Sequence, residues 1–155
     1  MNNLNQGYPV IKSGNLMSLE VVLKTMNDYV KIPNEKMLES SITKGDMLMC
    51  LSSQSDNPEP LGKTAIYKFD TPALLNQRVL KMRPFHEEIT LYLYYVINSE
   101  YFHYTVSHQG GGSAQANLKL DHVLGMLIPL PPLAEQHRIV SQIAEIMPFI
   151  DNLTQ

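Results

Sequence analysis

The stretch that decides the fold runs from Leu127 to Val140 and reads Leu-Ile-Pro-Leu-Pro-Pro-Leu-Ala-Glu-Gln-His-Arg-Ile-Val. Its apolar beginning predicts a short strand at residues 126–129. The paired prolines Pro131 and Pro132 then predict the first turn of a helix, where the N–H group that proline lacks would be unpaired in any case. The sequence therefore predicts a short strand that leads directly into a C-terminal helix.

The C-terminal helix carries a periodic apolar face. From Ile139 to Leu153, isoleucines and a leucine recur at intervals of 4, 3, 4 and 3 residues, which is the spacing of a coiled-coil seam. Pro148 predicts that the helix stops near Met147 or bends there, because an interior proline removes a hydrogen bond. The face indicates either a protein–protein contact or a terminal helix folded onto its own domain. The predicted partner-binding residues are Ile139, Val140, Ile143, Ile146, Met147 and Ile150.

Upstream of this stretch, short strands give way to helices. Strands are predicted at residues 8–11, 29–32, 47–51, 62–67 and 75–82, with a short helix capped by Asn34. From Glu87, apolar and aromatic residues recur three and four apart, which predicts one amphipathic helix, and a short helix follows at residues 120–124. This order predicts an α+β fold in which a small twisted mixed β-sheet is packed by helices and followed by the C-terminal helix.

Composition limits the class of protein. The chain has 155 residues, of which 44% are hydrophobic and 17% charged, as expected for one globular domain with a core. No apolar run approaches the roughly 18 residues of a membrane span. The N-terminus lacks the basic and apolar regions of a signal peptide, and Cys50 is the only cysteine. These features predict a cytoplasmic chain that has no membrane contact.

Charge is distributed unevenly along the chain. The net charge is −3, but residues 1–83 carry ten Lys or Arg against eight Asp or Glu, which is +2. Residues 84–155 carry two against seven, which is −5. A surface for a polyanion is therefore expected in the first half.

The known signatures of catalysis and cofactor binding do not occur in the sequence. It holds no Gly-x-Gly-x-x-Gly pattern and no Walker-type loop, and its five histidines are not at metal-ligand spacing. Cys50 lies in an apolar run, which is typical of an inert core thiol. We therefore expect no catalytic residue, no metal site and no cofactor.

The stretch at Leu127–Val140 closely resembles a junction in the specificity subunit of type I restriction–modification enzymes, where a target recognition domain meets a spacer helix. Segments that follow the same family's order of motifs lie at residues 9–15, 44–48, 62–67, 75–79, 112–118 and 128–132. The resemblance covers nearly the whole chain, and its strength lies in the ordered set of motifs.

The resemblance implies a module that reads double-stranded DNA and catalyses nothing. A full specificity subunit holds two target recognition domains, each of which reads half of a split site. Its conserved helices dock methyltransferase subunits, and restriction subunits join later. By this resemblance, residues 1–131 are one target recognition domain and residues 132–155 are a spacer helix. The chain would then be a half-subunit or fragment, and two copies could form a homodimer through their helices.

Three polar segments are candidates for DNA contact: a turn at residues 12–15, a loop at residues 52–60 and a glycine-rich loop at residues 109–117. Amides, hydroxyls and cations in such loops can hold phosphates and read base edges. The alternatives are ordinary solvated loops, a buried structural role for Arg78, and a relic that binds only a protein partner. The candidate residues are Lys12, Ser13, Asn15, Ser52, Gln54, Ser55, Asn57, Lys63, Arg78, Gln109, Gly111, Ser113, Gln115 and Asn117.

Overall fold

The computed structural model describes residues 6–17, 19–23, 28–52, 61–109 and 117–153. Its strands are β1 (Tyr8–Ile11), β2 (Leu16–Met17), β3 (Glu20–Val21), β4 (Tyr29–Val30), β5 (Ser41–Ile42), β6 (Met47–Cys50), β7 (Thr64–Ile66), β8 (Ala73–Leu75) and β9 (Val79–Met82). Its α-helices are α1 (Glu35–Glu39), α2 (Thr90–Ile97), α3 (Glu100–Gln109), α4 (Leu120–Leu124) and α5 (Leu133–Leu153).

The described strands form two mixed sheets. The first has the order β4-β1-β8-β5, in which β1 and β8 are parallel. The second has the order β2-β3-β7-β6-β9, in which β3 and β7 are parallel and β6 is antiparallel to both of its neighbours. The predicted α+β class is confirmed, with the strands divided between two sheets.

Strand β6 is the predicted buried strand, and all four of its residues are buried. Side chains alternate between the two faces of a strand, so β6 supplies both hydrophobic clusters. Leu48 and Cys50 belong to the cluster formed with the first sheet, and Met49 belongs to the cluster beneath the helices. Strand β6 therefore lies between the two hydrophobic clusters and contributes side chains to both.

The prediction of one strand over residues 75–82 is wrong, because Leu75 ends β8, residues 76–78 form a turn, and only Val79–Met82 form β9, which lies in the other sheet. The turn between them depends on Asn76, whose Oδ1 accepts a hydrogen bond from the Arg78 N–H at 3.1 Å. Asparagine side chains commonly replace a backbone partner in this way, so a turn forms without glycine or proline.

The single helix predicted from Glu87 is also divided, into α2 and α3. Asn98 lies at the break, and its side-chain amide pairs with Thr64 at the start of β7. Its Oδ1 accepts from the Thr64 N–H at 3.1 Å and its Nδ2 donates to the Thr64 carbonyl at 3.0 Å. The Asn98 amide thus makes the two backbone hydrogen bonds to Thr64 that a neighbouring strand would otherwise make. The helical chain is divided into α2 and α3 at this residue.

Two short helices agree with prediction. The Asn34 Oδ1 accepts from the Met37 N–H at 2.9 Å and caps α1, and α4 has the expected bounds. The predicted strand at residues 126–129 is absent from the described structure. Met126 and Ile128 instead pack against the helical core in an extended segment, and Tyr92 donates from its hydroxyl to the Pro129 carbonyl at 2.8 Å.

Helix α5 continues through Pro148 to Leu153, so it does not stop near Met147. Proline leaves the carbonyl four residues earlier without its helical partner. That carbonyl belongs to Ala144, an exposed residue that water can reach. Solvent can therefore satisfy the lost hydrogen bond.

We predict that Asn98→Ala lowers the free energy of unfolding by about 2 kcal/mol, because it leaves both backbone groups of buried Thr64 without partners. Urea denaturation followed by circular dichroism measures the change. Asn152→Ala, on the exposed surface of α5, is the matched control and should shift stability by less than about 0.5 kcal/mol. Equal stability of the two variants would contradict the structural role of Asn98.

Candidate nucleic-acid interface

Residues at the ends of two predicted DNA-reading segments meet at the end of β6. Ser52, which begins the first loop, forms an antiparallel bridge with Asn117, which ends the second. Beside this bridge, the Leu118 N–H donates to the Leu51 carbonyl at 2.8 Å. The residue that begins one polar segment and the residue that ends another, far apart in sequence, are therefore joined at one hydrogen-bonded edge.

The Asn76–Arg78 turn joins the same edge. The Leu51 N–H donates to the Arg78 carbonyl at 2.9 Å. Leu51 therefore bonds to this turn through its amide and to Leu118 through its carbonyl. Arg78 is exposed in the turn and is not a buried cation. Gln77 and Arg78 both lie in the turn between β8 and β9 and not on a strand.

The third polar segment, at Lys12 and Ser13, lies on the other side of the Asn76 turn. Because β1 and β8 are parallel, their carboxyl ends meet, and the Asn76 N–H donates to the Ile11 carbonyl at 2.9 Å. Lys12 forms an ion pair with Asp28 in which both side chains are exposed. Residues that flank two of the predicted segments thus bond directly to the Asn76–Arg78 turn, and Leu118, which follows the third segment, bonds to Leu51.

Three candidate side chains are buried, contrary to the expectation of exposed loops: Asn15, Ser52 and Lys63 are 5%, 5% and 8% exposed. The Asn15 amide closes its turn by accepting from the Lys12 N–H and donating to the Val22 carbonyl. Lys63 is drawn against β6 because its carbonyl accepts from the Cys50 N–H at 2.9 Å. We therefore remove these three side chains from the candidate contact surface.

Gln109 is the last residue of α3. The remaining positions lie outside the described residues: Gln54, Ser55, Asn57, Gly111, Ser113 and Gln115. Among the described candidates, Lys12, Ser13, Arg78 and Asn117 have side chains that are at least partly exposed.

Sequence reasoning missed Lys119. It is exposed and directly follows Leu118, whose backbone is fixed to Leu51. It is also one of two cations in the acidic second half, and the other, Arg138, forms paired hydrogen bonds with Glu135 at 2.8 Å. A lone lysine immediately after a glycine-rich polar loop is the signal that would have identified it.

Several cations of the first half are engaged in contacts away from this edge. Lys44 pairs with Asp70 at 2.8 Å, and Lys68 pairs with Glu20 at 2.9 Å. Arg83 donates from Nε to Asp46 at 2.7 Å. The +2 balance of the first half therefore overstates the positive charge available to a polyanion.

A cleft of about 410 Å³ lies at the opposite end of β6, beside Asp46 and Arg83. The Asp46 carboxylate accepts from Arg83 and from the Thr43 N–H at 2.8 Å, so these charged groups satisfy each other. We assign this ion pair a structural role in the turn that precedes β6.

Tyr94 is also structural. Burial raises its pKa to about 12, and the nearby Tyr95 and Glu20 act in the same direction. The hydroxyl therefore stays protonated at neutral pH and donates to the Leu19 carbonyl at 3.1 Å, which joins α2 to the loop before β3.

Helix α5 presents two environments. It packs against α2, and four of the predicted partner-binding residues are half-buried: Ile139, Val140, Ile143 and Met147. Farther along, Ile146 and Ile150 are 53% and 47% exposed, and Phe149, which was not predicted, is 71% exposed. The first part of the helix is thus folded onto its own domain, whereas its distal part leaves a large apolar surface in solvent.

Among the described residues, no group of three His, Cys, Asp or Glu side chains is arranged to hold a metal ion. Within the same ranges, no helix combines the length and apolar character that crossing a membrane requires.

The described residues form an α+β domain in which residues flanking two polar segments meet at the end of β6. Residues 2–154 match the family described as the type I restriction modification DNA specificity domain. The chain therefore belongs to this family, as the motifs predicted, and is a specificity component rather than a catalytic one.

Individual relatives agree with this assignment. The chain is 29% identical over 153 residues to a protein of Methanocaldococcus jannaschii named as the type I restriction enzyme MjaX specificity subunit, covering 95% of this chain and 34% of that one. The HsdS subunit from Thermoanaerobacter tengcongensis has a similar fold, with a TM-score of 0.68 at 19% identity over 99% of this chain and 33% of that one.

A structure that addresses complex assembly and conformational transition of the type I restriction–modification system gives the same TM-score of 0.68. Its identity is 20%, over 97% of this chain and 34% of that one. The chain thus spans about a third of the length of each of these relatives.

The pairing of Ser52 with Asn117 can be tested by cross-linking. We predict that the double variant Ser52→Cys/Asn117→Cys forms a disulfide on mild oxidation, because directly opposed residues of an antiparallel pair lie within disulfide reach. Peptide mapping without reductant identifies the bridge. The two single variants control for competition by Cys50, and a folded double variant that keeps its thiols would contradict the pairing.

Proposed function

We propose that this chain is a sequence-specific recognition module for double-stranded DNA in a type I restriction–modification system. It would direct methyltransferase subunits, and then restriction subunits, to a target half-site. The observation that carries the proposal is the hydrogen-bonded edge at Leu51 and Ser52, where residues that flank two polar segments of the sequence are joined beside exposed Arg78. Family membership supports the same function.

Recognition of a duplex needs two kinds of contact. Cations and hydroxyls hold phosphates and fix the register, whereas amides and arginine read base edges in the major groove. The loops at residues 53–60 and 110–116 are rich in serine, amides and glycine and contain no lysine or arginine. In this proposal the loops read base edges, and cations beside them on the sheet edge hold the backbone.

The proposed division of labour follows the fold. Residues 1–131 form the target recognition domain, and residues 132–155 supply the helix for assembly. The exposed distal residues Ile146, Phe149 and Ile150 form the apolar contact for a methyltransferase subunit or for a second copy of the chain. A cytoplasmic location belongs to the same proposal, since the ligand is DNA.

A second candidate is a protein interaction module that no longer binds DNA. It is favoured by the net charge of −3 and by the internal pairing of Lys44, Lys68 and Arg83. Such a chain would keep only the contact made by α5.

DNA titration distinguishes the two candidates. We expect the isolated chain to bind a mixed-sequence duplex weakly, with affinity falling roughly tenfold or more between about 50 and 200 mM salt, because phosphate contacts release counterions. Fluorescence anisotropy measures the binding. Co-expression with the cognate methyltransferase subunit, followed by methylome mapping, should then reveal one modified motif. Salt-independent behaviour together with an unmodified genome would refute DNA recognition and favour the interaction module.

The assembly contact is tested on α5. Ile146→Asp should weaken co-purification of the methyltransferase subunit at least tenfold, since it places a charge in an apolar contact. Ser141→Asp adds the same charge to an exposed position five residues away, on another side of the helix, and should leave co-purification unchanged. Equal recovery with both variants would exclude the distal face of α5 as the contact.

A further inference from the structure

We propose that Lys119 and Arg78 together hold neighbouring phosphates of the DNA backbone beside the Ser52–Asn117 bridge. This inference rests on the proposed function and assigns to that interface a residue that the sequence motifs do not mark. Its role is to position the duplex, and reading of bases is left to the loops.

The backbone brings the two cations together. The amide and carbonyl of one residue in an antiparallel ladder point to the same side of the strand. Leu51 donates to Arg78 at 2.9 Å and accepts from Leu118 at 2.8 Å, so both partners lie consecutively along one side of the chain that continues β6. Lys119 follows Leu118 directly and therefore emerges beside the Arg78 turn.

Both cations are available to a ligand. Arg78 and Lys119 are exposed, and neither side chain makes an ion pair or hydrogen bond within the described part of the chain. Asp121, the acidic residue nearest to Lys119 in the sequence, forms no ion pair with it. Lys12 on the same edge differs, because Asp28 neutralises it.

The backbone at or next to each cation is held in place by packing or by hydrogen bonds. Leu118 is 4% exposed in the helical core, and α4 begins immediately after Lys119. The Arg78 N–H is bonded to the Asn76 side chain. Neighbouring phosphates held by two such anchors set the register of the duplex on this edge, and these contacts are independent of base sequence.

The test compares Lys119→Gln, Arg78→Gln and the double variant in anisotropy titrations of a mixed-sequence duplex over a series of salt concentrations. Each single variant should bind roughly five- to tenfold more weakly at about 0.1 M salt and reduce the salt slope by about 0.9, because one phosphate contact is lost. The double variant should show about twice the change in slope. The motif found by methylome mapping should be the same with Lys119→Gln as with the native chain.

Lys44→Gln is the matched control, since it removes the same charge from the turn at the opposite end of β6. It should leave both affinity and salt slope unchanged. If the native chain shows no salt-dependent binding, the proposed function itself fails. If the native chain binds but Lys119→Gln keeps its slope, or if this variant alters the modified motif, then the assignment of Lys119 to a phosphate is wrong.

Discussion

The burial of both faces of β6 is the constraint on which the rest of the structure depends. Leu48 lies in the core of the first sheet, and Met49 lies in the core under the helices, so the strand cannot slip by one residue without exchanging the two sets of side chains. Its register fixes where Leu51 emerges. Because Leu51 bonds to Arg78 and Leu118, the position of the polar edge follows from the packing of an apolar strand.

The polar edge at the end of β6 is held by backbone hydrogen bonds. Along this part of the chain, the described side chains are buried or half-buried as far as Ser52. Loops between strands can change sequence without disturbing a core when their ends are held by backbone hydrogen bonds, since those bonds are independent of side-chain identity. The bridge between Ser52 and Asn117 also joins the residue that begins the first polar segment to the residue that ends the second.

Sequence patterns predicted the features that depend on local chemistry. The apolar run of β6, the Asn34 cap of α1 and the bounds of α4 required only neighbouring residues. Features that depend on distant partners were missed. The break at Asn98 needs Thr64, 34 residues away, and the burial of Lys63 needs its pairing with β6. The polar segments were located along the chain, but their convergence through Leu51 is a tertiary fact that no spacing rule contains.

The apolar face of the C-terminal helix also shows what a local sequence pattern leaves undetermined. Its periodic apolar face was visible in the sequence, but that period cannot distinguish a core from a contact, because both need a continuous stripe. In the structure the two parts of the stripe differ: Ile143 is half-buried, whereas Ile146 and Phe149 are exposed. Pro148 lies in this exposed distal part, where water can reach the carbonyl that it leaves without a partner. The proline is therefore compatible with a continuous helix, and the apolar stripe continues past the domain that anchors it.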